Sequence, residues 1–503
     1  MAERNIASAR STLDYLRSIG EVLDIKDEVN PVYEIAGIQK ALEGGPAIVF
    51  DKIAGYPGVR NLGNLFATRE RAAKILGLDD FKKIKLKGIE ALKKPIPPRV
   101  VTEAPCQEVV VTNDIDIFSI LPVLKHTPRD AARILGGGNT LLTGRYFRGG
   151  SHISFNRINF RGKDWGPLDA GPPTHLGIAA YVDHRSERIP LTLNICTPPA
   201  VMLVAGGGNV HGIVPQGSDE LAIAGGLQGF PVDIVKAKTV DAYAFAEAEW
   251  VIEGHLETES AWETEEAEKL AKGGEAAFFP EWPGYLGRAY RFRRFQVTAI
   301  THRRERPIFF SPLAHSNEGD FLITLFKDAC MMEVGDRVVP GLVKDVNTLH
   351  GFSINGGIVY QVHKRRPWDE GYQRNILMAA MAAMPGMRLV VVVDEDVDIY
   401  NADDVLWAMT TRVNPATGIL TGARGGRGTL MQPLERTGGA NGGGFEGGIG
   451  MDATVPMEDK WQFERAHYPS DMVDLKKWLK PEEITRIQAS QSEYSKLMAK
   501  LGA

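Results

Sequence analysis

The sequence has few cysteines, no long apolar run and little net charge. Its three cysteines, Cys106, Cys196 and Cys330, lie far apart in 503 residues, so they match neither a zinc site nor a disulfide framework. No apolar run is long enough to span a membrane, and the N-terminal stretch MAERNIASARSTLDYL lacks the apolar segment of a secretory signal. These absences predict a cytoplasmic protein with no membrane partner.

The net charge of −5 is small for a chain of this length, which disfavours nucleic acid as a partner. The arginine-rich stretch RFRRFQVTAITHRRERP alternates with period two, which is typical of a barrel strand with a solvated face. The sequence also contains no GxSxG elbow, Walker loop or HExxH motif. The glycine-rich stretches GGGNVHG and GGANGGG lack the strand-to-helix context of a dinucleotide fingerprint. A nucleophilic hydrolase and an NAD-dependent dehydrogenase are therefore both disfavoured.

The pattern of apolar residues predicts an α+β protein with more than one packed unit. Residues 1–106 mix helical and strand-like segments, whereas residues 107–315 contain many short β-rich runs that are typical of a barrel or sandwich. A helical segment at 316–337 leads to a second α/β section at 338–503, which ends in an amphipathic helix. Residues 257–274, ETESAWETEEAEKLAKGG, are predicted to form a solvated helical insertion.

Three side chains at bends near strands are candidates for a metal site. They are His152 in GSHISFNRINF, His175 in GPPTHLG and Asp233 in GFPVDIVKA. Two imidazoles and a carboxylate suit Mn²⁺, Fe²⁺ or Zn²⁺. Their spacing matches no short metal motif, so ordinary structural roles are the alternative.

An acidic run follows a strand that reads as buried. Asp394, Glu395, Asp396 and Asp398 lie in VVVVDEDVDI, where α/β proteins often hold magnesium or phosphate. Helix caps and ion pairs account for such a run equally well.

The stretch EAAFFPEWPGYLG, residues 275–287, places Glu281 between aromatic residues and prolines. A bare carboxylate is costly to bury in apolar surroundings, so burial favours the neutral acid. Glu281 is therefore either an exposed loop residue or a carboxyl group that carries a proton.

Several segments together resemble the UbiD family of decarboxylases, which use prenylated flavin mononucleotide (prFMN). In the family's order they are STLDYLRSIGEVLDI, LPVLKHTPRDA, SFNRINF, GGLQGFPVDIVKAKTVD, EWVIEGHLE, PEWPGYLG and VVVDEDVDIYNADDVLWAMTTR. The chain looks closest to decarboxylases of small aromatic acids, such as the protocatechuate type. The resemblance implies an N-terminal α/β section at 1–106 and a split β-barrel for prFMN at 107–315. A linker helix at 316–337 and a C-terminal α/β oligomerisation domain at 338–503 would follow.

The resemblance also implies roles for individual residues. It assigns His152, His175 and Asp233 to Mn²⁺ or another divalent ion, with K⁺ nearby. His152 stands where the family usually has asparagine, and Asp233 stands where it has glutamate. The cofactor contacts implied by the family are His152, Ile153, Ser154, Phe155, Asn156, Arg157, Thr174, His175, Asp233 and Lys364.

Glu281 matches the family's proton-donating glutamate, and Arg157 matches the arginine that pairs with it. The family's upstream glutamate falls on Ala276, with Glu275 one place away. Glu275 is therefore the expected substitute, unless Glu281 works with Arg157 alone.

Three further side chains are expected to shape a flat substrate pocket. Phe279 and Trp282 flank Glu281 in the sequence, and His315 is placed to reach a ring substituent. The alternative for each of them is ordinary packing.

The resemblance predicts a reversible, non-oxidative decarboxylase of an aromatic or heteroaromatic carboxylic acid that releases CO₂. Hydroxybenzoates, indole-carboxylates and pyrrole-carboxylates are all compatible substrates. The expected partners are further copies of this chain, in a homodimer or larger homo-oligomer, and a flavin prenyltransferase that supplies the cofactor. A cofactor-free accessory subunit of an aryl carboxylase and a plain flavin oxidoreductase are the alternatives. For the DEDVDI run the resemblance favours packing.

Overall fold

The computed structural model describes residues 3–171, 174–270, 278–352, 356–384, 387–421, 448–466, 468–469, 472–492 and 495. The chain forms two compact units. The described residues up to 334, together with 383–384, belong to the first unit, and the other described residues belong to the second. The α+β class predicted from the sequence is confirmed.

The helices of the described residues are α1 (Ala9–Ser18), α2 (Glu34–Ala41), α3 (Arg69–Leu76), α4 (Ile84–Lys93), α5 (Ile117–Ile120), α6 (His175–Ile178), α7 (Pro199–Gly207), α8 (Glu220–Gln228), α9 (Glu265–Leu270), α10 (Asn317–Val338), α11 (Tyr372–Ala383), α12 (Ala402–Arg412) and α13 (Pro481–Ser490). Within the described ranges, none of them has the length and apolar character needed to cross a bilayer.

The strands of the described residues are β1 (Val22–Val29), β2 (Ala47–Ile53), β3 (Arg60–Gly63), β4 (Arg99–Val101), β5 (Val109–Val111), β6 (Gly138–Thr143), β7 (Ser151–Phe155), β8 (Trp165–Pro167), β9 (Ile189–Ile195), β10 (Asp233–Lys236), β11 (Tyr243–Phe245), β12 (Trp250–Trp262), β13 (Arg291–His302), β14 (Ile308–Phe310), β15 (Val343–Asn347), β16 (Gly357–Val362), β17 (Leu389–Asp394), β18 (Ile419–Thr421) and β19 (Ile449–Ala453).

The first unit begins with a four-stranded sheet in the order β1-β2-β3-β14. Strands β1 and β2 are parallel, β2 and β3 are antiparallel, and β14 is parallel to β3. Helix α1 is capped by Ser8, whose side chain accepts a hydrogen bond from the Ser11 amide. The helix buries Leu13 and Leu16. The sequence predicts that β14 belongs to the β-rich barrel region. The parallel pairing of β14 with β3 instead places this strand in the N-terminal sheet.

The central sheet of the first unit has seven strands in the order β5-β13-β12-β9-β6-β7, with β8 also paired to β13. Its neighbours are antiparallel, and the long pair β12–β13 runs from Trp250 opposite His302 to Trp262 opposite Arg291. The helical prediction for residues 257–262 is wrong, because these residues continue β12. Helix occurs only afterwards, in α9. Pairing with β13 outweighs the helix propensity of this polar segment.

A small three-stranded sheet in the order β11-β10-β4 completes the strands of the first unit. Helices α7 and α10 pack closely through two glycines of α7. A Cβ atom on Gly206 would lie 2.2 Å from the carbonyl oxygen of Leu322, and one on Gly207 would lie 2.6 Å from the amide nitrogen of Lys327. Only glycine permits this backbone approach.

The second unit contains a five-stranded sheet in the order β15-β16-β17-β19-β18. Strands β16, β17 and β19 are parallel. Their valine-rich sequences are typical of a sheet that is buried on both faces. Val391, Val393 and Ala453 pack against Val405 and Ala408 of α12. This core confirms that the second unit is α/β in character.

We expect the substitution Gly206→Ala to destabilise the first unit. An alanine in a helix normally adds up to about 1 kcal/mol, but here the methyl group would force α7 away from α10, which costs about 1–3 kcal/mol. Chemical denaturation of the cofactor-free protein measures the change.

Gly37→Ala is the matched control. Gly37 is also a helical glycine, in α2, and a Cβ atom there would meet nothing within 4 Å. It should be neutral or stabilising. Equal stability of the two variants would show that α7 and α10 do not need this close contact.

Candidate active site

Arg157 lies two residues beyond the end of β7 and is almost completely buried. Its carbonyl accepts a hydrogen bond of 3.0 Å from the amide of Asp169, and the Asn156 side-chain amide donates to the carbonyl of Asp169 at 2.6 Å. These bonds tie the segment after β7 to the segment after β8. The guanidinium group therefore has a defined position in the interior.

Glu281 is 2% exposed, and it is held on a tight turn. Its amide donates to the carbonyl of Tyr285 at 2.8 Å, and Gly284 has a φ of +84° that favours glycine. A Cβ atom on Gly287 would lie 2.5 Å from Glu281 Oε1, so this position also requires glycine. The stretch PEWPGYLG thus folds a carboxyl group inward, and the exposed-loop interpretation is wrong.

The guanidinium group of Arg157 contacts three carboxyl groups. Nη1 donates to Glu281 Oε1 at 2.8 Å, while Nε and Nη2 donate to the two oxygens of Glu263 at 2.8 and 3.1 Å. Nη1 also lies 3.2 Å from Asp169 Oδ2. The contact with Glu263 is bidentate, which is the strong geometry for an arginine and a carboxylate.

Glu263 is the second glutamate of this cluster, and the sequence analysis missed it. It follows directly after β12, its side chain is fully buried, and its Oε2 accepts a hydrogen bond of 2.8 Å from the Tyr290 amide. Burial raises the pKa of Glu263 to about 7, although Arg157 pulls it down. Burial alone would lower the pKa of Arg157, but Glu263, Glu281 and Asp169 raise it well above its ordinary value. The cluster is therefore able to hold a proton near neutral pH.

Aromatic residues lie close to Glu281 in the sequence. Phe278, Phe279 and Trp282 belong to one apolar cluster, whose other members are Ile134, Trp262, Ala267, Ala289 and Ala314. The Arg157 guanidinium lies 5.5 Å from the centre of the Phe278 ring. This apolar environment strengthens the electrostatic contacts of the cluster.

Two histidines contact the aromatic residues near Glu281, namely the expected His315 and, unexpectedly, His126. His315 Nδ1 lies 3.1 Å from the carbonyl oxygen of Trp282, and His315 is exposed. His126 meets the Phe279 ring edge to face at 5.2 Å, and its amide donates to Asp130 at 2.7 Å. The sequence analysis gave His126 no role, because nothing in the local text connects it to Phe279.

A second polar cluster contains His152, His175 and Glu220. Their ligand-type atoms lie within 4.8 Å of one another, and all three residues are buried. His152 Nδ1 lies 3.0 Å and His175 Nδ1 lies 3.2 Å from Glu220 Oε1. The Nε2 atoms of both histidines are buried without a hydrogen-bond partner in the described part of the chain. Such a donor set fits a divalent cation.

Burial would raise the pKa of Glu220, but the two histidines outweigh it and lower the pKa to about 2. His211 stacks on His175 with a ring distance of 4.3 Å. Burial, together with the two neighbouring histidines, lowers the pKa of His211 to about 4. Glu220 is therefore an ionised carboxylate, and His211 is a neutral imidazole near neutral pH.

The structure does not bring Asp233 to the two histidines. Asp233 begins β10, and its oxygens accept two hydrogen bonds of 2.7 Å from Arg99. Glu220 takes its place in the cluster, because Asp219 caps α8 and the Ile153 amide donates to Glu220 Oε2 at 2.8 Å. The sequence signal for Glu220 is a single acid, SDELAIAGG, at the start of an otherwise apolar helix.

The remaining expected residues have ordinary local contacts. Thr174 caps α6 by accepting a hydrogen bond of 3.0 Å from the Gly177 amide, and Ser154 donates to Asn156 at 2.6 Å. In the second unit, Lys364 donates to Glu370, Thr454 and the Val455 carbonyl at 2.7–3.0 Å. Phe155 is half-buried in β7. Glu275 and Ala276 lie outside the described residues.

The acidic run in the second unit is engaged in protein contacts. Asp396 pairs with Arg412 at 2.6 Å, and Glu395 contacts His363 at 2.6 Å and Lys344 at 3.1 Å. Asp394 accepts a hydrogen bond of 2.6 Å from the Val455 amide. These contacts support the packing interpretation.

Three domain models of one family match successive parts of the chain. They describe the N-terminal, Rift-related and C-terminal domains of 3-octaprenyl-4-hydroxybenzoate carboxy-lyase, and they match residues 13–86, 99–315 and 320–453. The chain belongs to the UbiD family. The recognition from sequence is confirmed, and the chain is a UbiD-family carboxy-lyase.

Two similar proteins are decarboxylases of aromatic acids. The chain is 29% identical over 477 residues to gallate decarboxylase from Lactiplantibacillus plantarum, covering 91% of this chain and 94% of that protein. It is also similar to the apo structure of a 3,4-dihydroxybenzoic acid decarboxylase from Enterobacter cloacae. That match has a TM-score of 0.81 and 29% identity, and it covers 95% of this chain and 99% of the other.

A third similar structure contains the cofactor. It is an evolved dimeric form of the UbiD-class enzyme HmfF from Pelotomaculum thermopropionicum in complex with prFMN. The TM-score is 0.79 at 27% identity, and the match covers 94% of this chain and 100% of that one. These similarities confirm the UbiD-like fold class.

Proposed function

We propose that this UbiD-family enzyme catalyses the reversible, non-oxidative decarboxylation of an aromatic or heteroaromatic acid, with prFMN as cofactor and Glu281 as proton donor. One observation carries the proposal, namely the buried contact of 2.8 Å between Arg157 and Glu281, with the Phe278 ring 5.5 Å from the Arg157 guanidinium. The activities of the gallate and 3,4-dihydroxybenzoic acid decarboxylases support the substrate class.

The residues present fit a metal-bound flavin phosphate. His152, His175 and Glu220 would hold Mn²⁺ or another divalent ion through the imidazoles and the ionised carboxylate. Such an ion neutralises the phosphate charge. The segment from Ile153 to Arg157 would help to hold the cofactor, and we propose K⁺ nearby as in the family. When bound, prFMN supplies the electron sink for the charge that remains after CO₂ departs.

The chain itself supplies orientation and a proton. Arg157 Nη1 donates to Glu281 Oε1 and thereby orients the carboxyl group. Glu263 holds the other edge of the guanidinium group in a bidentate contact and thereby fixes its direction. Burial of Glu281, which is 2% exposed, keeps bulk water away from its carboxyl group. A positioned acid of this kind contributes about 10²–10⁴-fold to a rate.

Phe279, Trp282 and His315 are proposed to contact the substrate. Phe279 and Trp282 offer flat apolar surfaces beside Glu281, which suit an aromatic ring. His315 is exposed and touches Trp282, so its imidazole is available to a polar ring substituent. These contacts favour a planar ring acid over an aliphatic one.

We expect Glu281→Gln to retain the fold and the cofactor but to lose turnover by about a hundredfold or more, since a general acid is removed. The protein is co-expressed with a flavin prenyltransferase, and CO₂ release is screened over hydroxybenzoates, indole-carboxylates and pyrrole-carboxylates. Exchange of solvent deuterium into the product should be lost as well.

Tyr285→Phe is the control, because Tyr285 is an exposed neighbour that accepts a hydrogen bond from the Glu281 amide through its backbone carbonyl. The substitution retains this carbonyl. Wild-type turnover and exchange in Glu281→Gln would disprove the proton-donor role. Protein that binds no chromophore would favour the accessory-subunit alternative, and consumption of NAD(P)H would favour an oxidoreductase.

The proposed metal site predicts different effects of substitutions at two carboxylates, Glu220 and Asp233. We expect Glu220→Gln to lose the divalent ion, because Glu220 is the carboxylate that contacts both histidines. Asp233→Asn should retain the ion, because Asp233 contacts Arg99 instead. Elemental analysis of the purified variants measures the bound metal. The reverse result, with metal lost only in Asp233→Asn, would restore the ligand set expected from the sequence.

We also propose that the enzyme is a homo-oligomer. Large side chains of the C-terminal segment are exposed within the single chain, by 76% for Trp461, 82% for Met472, 69% for Trp478 and 42% for Ile487 of α13. Exposed apolar groups of this density mark protein–protein contacts. Deletion of residues 480–503 should therefore lower the oligomeric state measured by sedimentation, and an unchanged profile would contradict the role of α13.

A further inference from the structure

Asp169 is the third carboxyl group at Arg157, and it shares a nitrogen atom with Glu281. Arg157 Nη1 lies 2.8 Å from Glu281 Oε1 and 3.2 Å from Asp169 Oδ2, whereas Glu263 occupies Nε and Nη2. The carboxyl groups of Glu281 and Asp169 therefore interact with the same nitrogen atom of the positively charged guanidinium group.

The cluster contains more carboxyl groups than positive charges. With Glu263, Glu281 and Asp169 all ionised, one guanidinium group would face three carboxylates in a mostly buried space. Uncompensated charge is costly there, and closely spaced carboxyl groups therefore retain protons to higher pH.

Asp169 is the most exposed carboxyl group of the cluster. Its side chain is 21% exposed, whereas those of Glu263 and Glu281 are 0% and 3% exposed. Asp169 Oδ1 also accepts a hydrogen bond from the Gly171 amide at 3.4 Å. Burial favours a neutral carboxyl group, and burial together with the charge of Asp169 raises the pKa of Glu263.

The backbone holds Asp169 in place independently of its charge. Its amide donates to the Arg157 carbonyl at 3.0 Å, and its carbonyl accepts from the Asn156 side chain at 2.6 Å. Among the described residues, Tyr181 also interacts electrostatically with Asp169, and its pKa is raised by burial and by Asp169. Tyr181 is therefore neutral and adds no opposing charge near neutral pH.

We infer that Asp169 is a positioning residue for proton transfer: its carboxylate shares Arg157 Nη1 with Glu281 and thereby keeps a proton on the buried glutamates. This inference rests on the proposed role of Glu281 and deepens it. Without the charge of Asp169, Arg157 would stabilise ionised Glu281 and Glu263 more strongly, and the cluster would release its proton at lower pH.

The test measures protonation directly in the cofactor-free protein. Isotope-edited infrared spectroscopy follows the carboxylic C=O band of glutamate as the pH is raised, and Glu263→Gln and Glu281→Gln identify the band. In Asp169→Asn the midpoint should move to lower pH by about one unit, the usual effect of a neighbouring charge. Asp169→Glu restores the charge and should restore the midpoint.

Asp183→Asn is the matched control, because it removes a carboxylate that pairs with Arg148 on the surface. It should leave the midpoint unchanged. In the holoenzyme, the pH above which turnover falls should move down in Asp169→Asn together with the infrared midpoint. Asp169→Ser is the second charge-removing variant and is measured alongside.

A midpoint that is unchanged in both Asp169→Asn and Asp169→Ser would overturn the inference, even if the wild-type enzyme decarboxylates aromatic acids. A midpoint that moves to lower pH in both variants supports the inference, whereas a move to higher pH contradicts it. If no acid releases CO₂ with the wild-type holoenzyme, the proposed function fails, and the infrared titration still decides whether Asp169 controls the proton of this cluster.

Discussion

The buried guanidinium group of Arg157 is the interaction on which the site depends. It joins four separate parts of the chain, namely the ends of β7, β8 and β12 and the turn that carries Glu281. A buried charge is tolerated only with good partners, and the loss of a partner leaves the remaining charge uncompensated. The same contacts that stabilise this region also shift the pKa of Glu263.

Strand β7 connects this cluster to the histidine cluster. His152 lies within β7 and Arg157 lies five residues later, which corresponds to about 16 Å of extended chain. One end of the segment has a donor set for a divalent ion, and the other end has a carboxyl cluster that holds a proton. The segment thus suits a cofactor whose phosphate and reactive ring lie far apart.

Local sequence patterns predicted most elements of the fold but not all of their partners. The strands β9, β12 and β13 follow from clear apolar runs, and the helix α10 follows from its helical spacing. The text of residues 257–262 is polar and favours helix, yet it continues β12 because β13 provides a hydrogen-bonding edge. Strand β14 reads like its neighbours in sequence but pairs with β3, from an earlier part of the chain. Such pairings are non-local, and short-range patterns do not contain them.

The sequence by itself determined the family, the α+β class and the candidates Arg157, Glu281, His152 and His175, because these residues lie in recognisable segments. Only the tertiary structure decided which acids join them. The sequences around Glu220, Glu263 and Asp169 contain no recognisable site motif. Glu220 lies at the capped start of α8, Glu263 at the end of β12 and Asp169 in the segment after β8, and the fold brings each of them to its cluster. A side chain's role in a charge cluster depends on distances of about 3 Å between distant parts of the chain, and only the packed fold sets those distances.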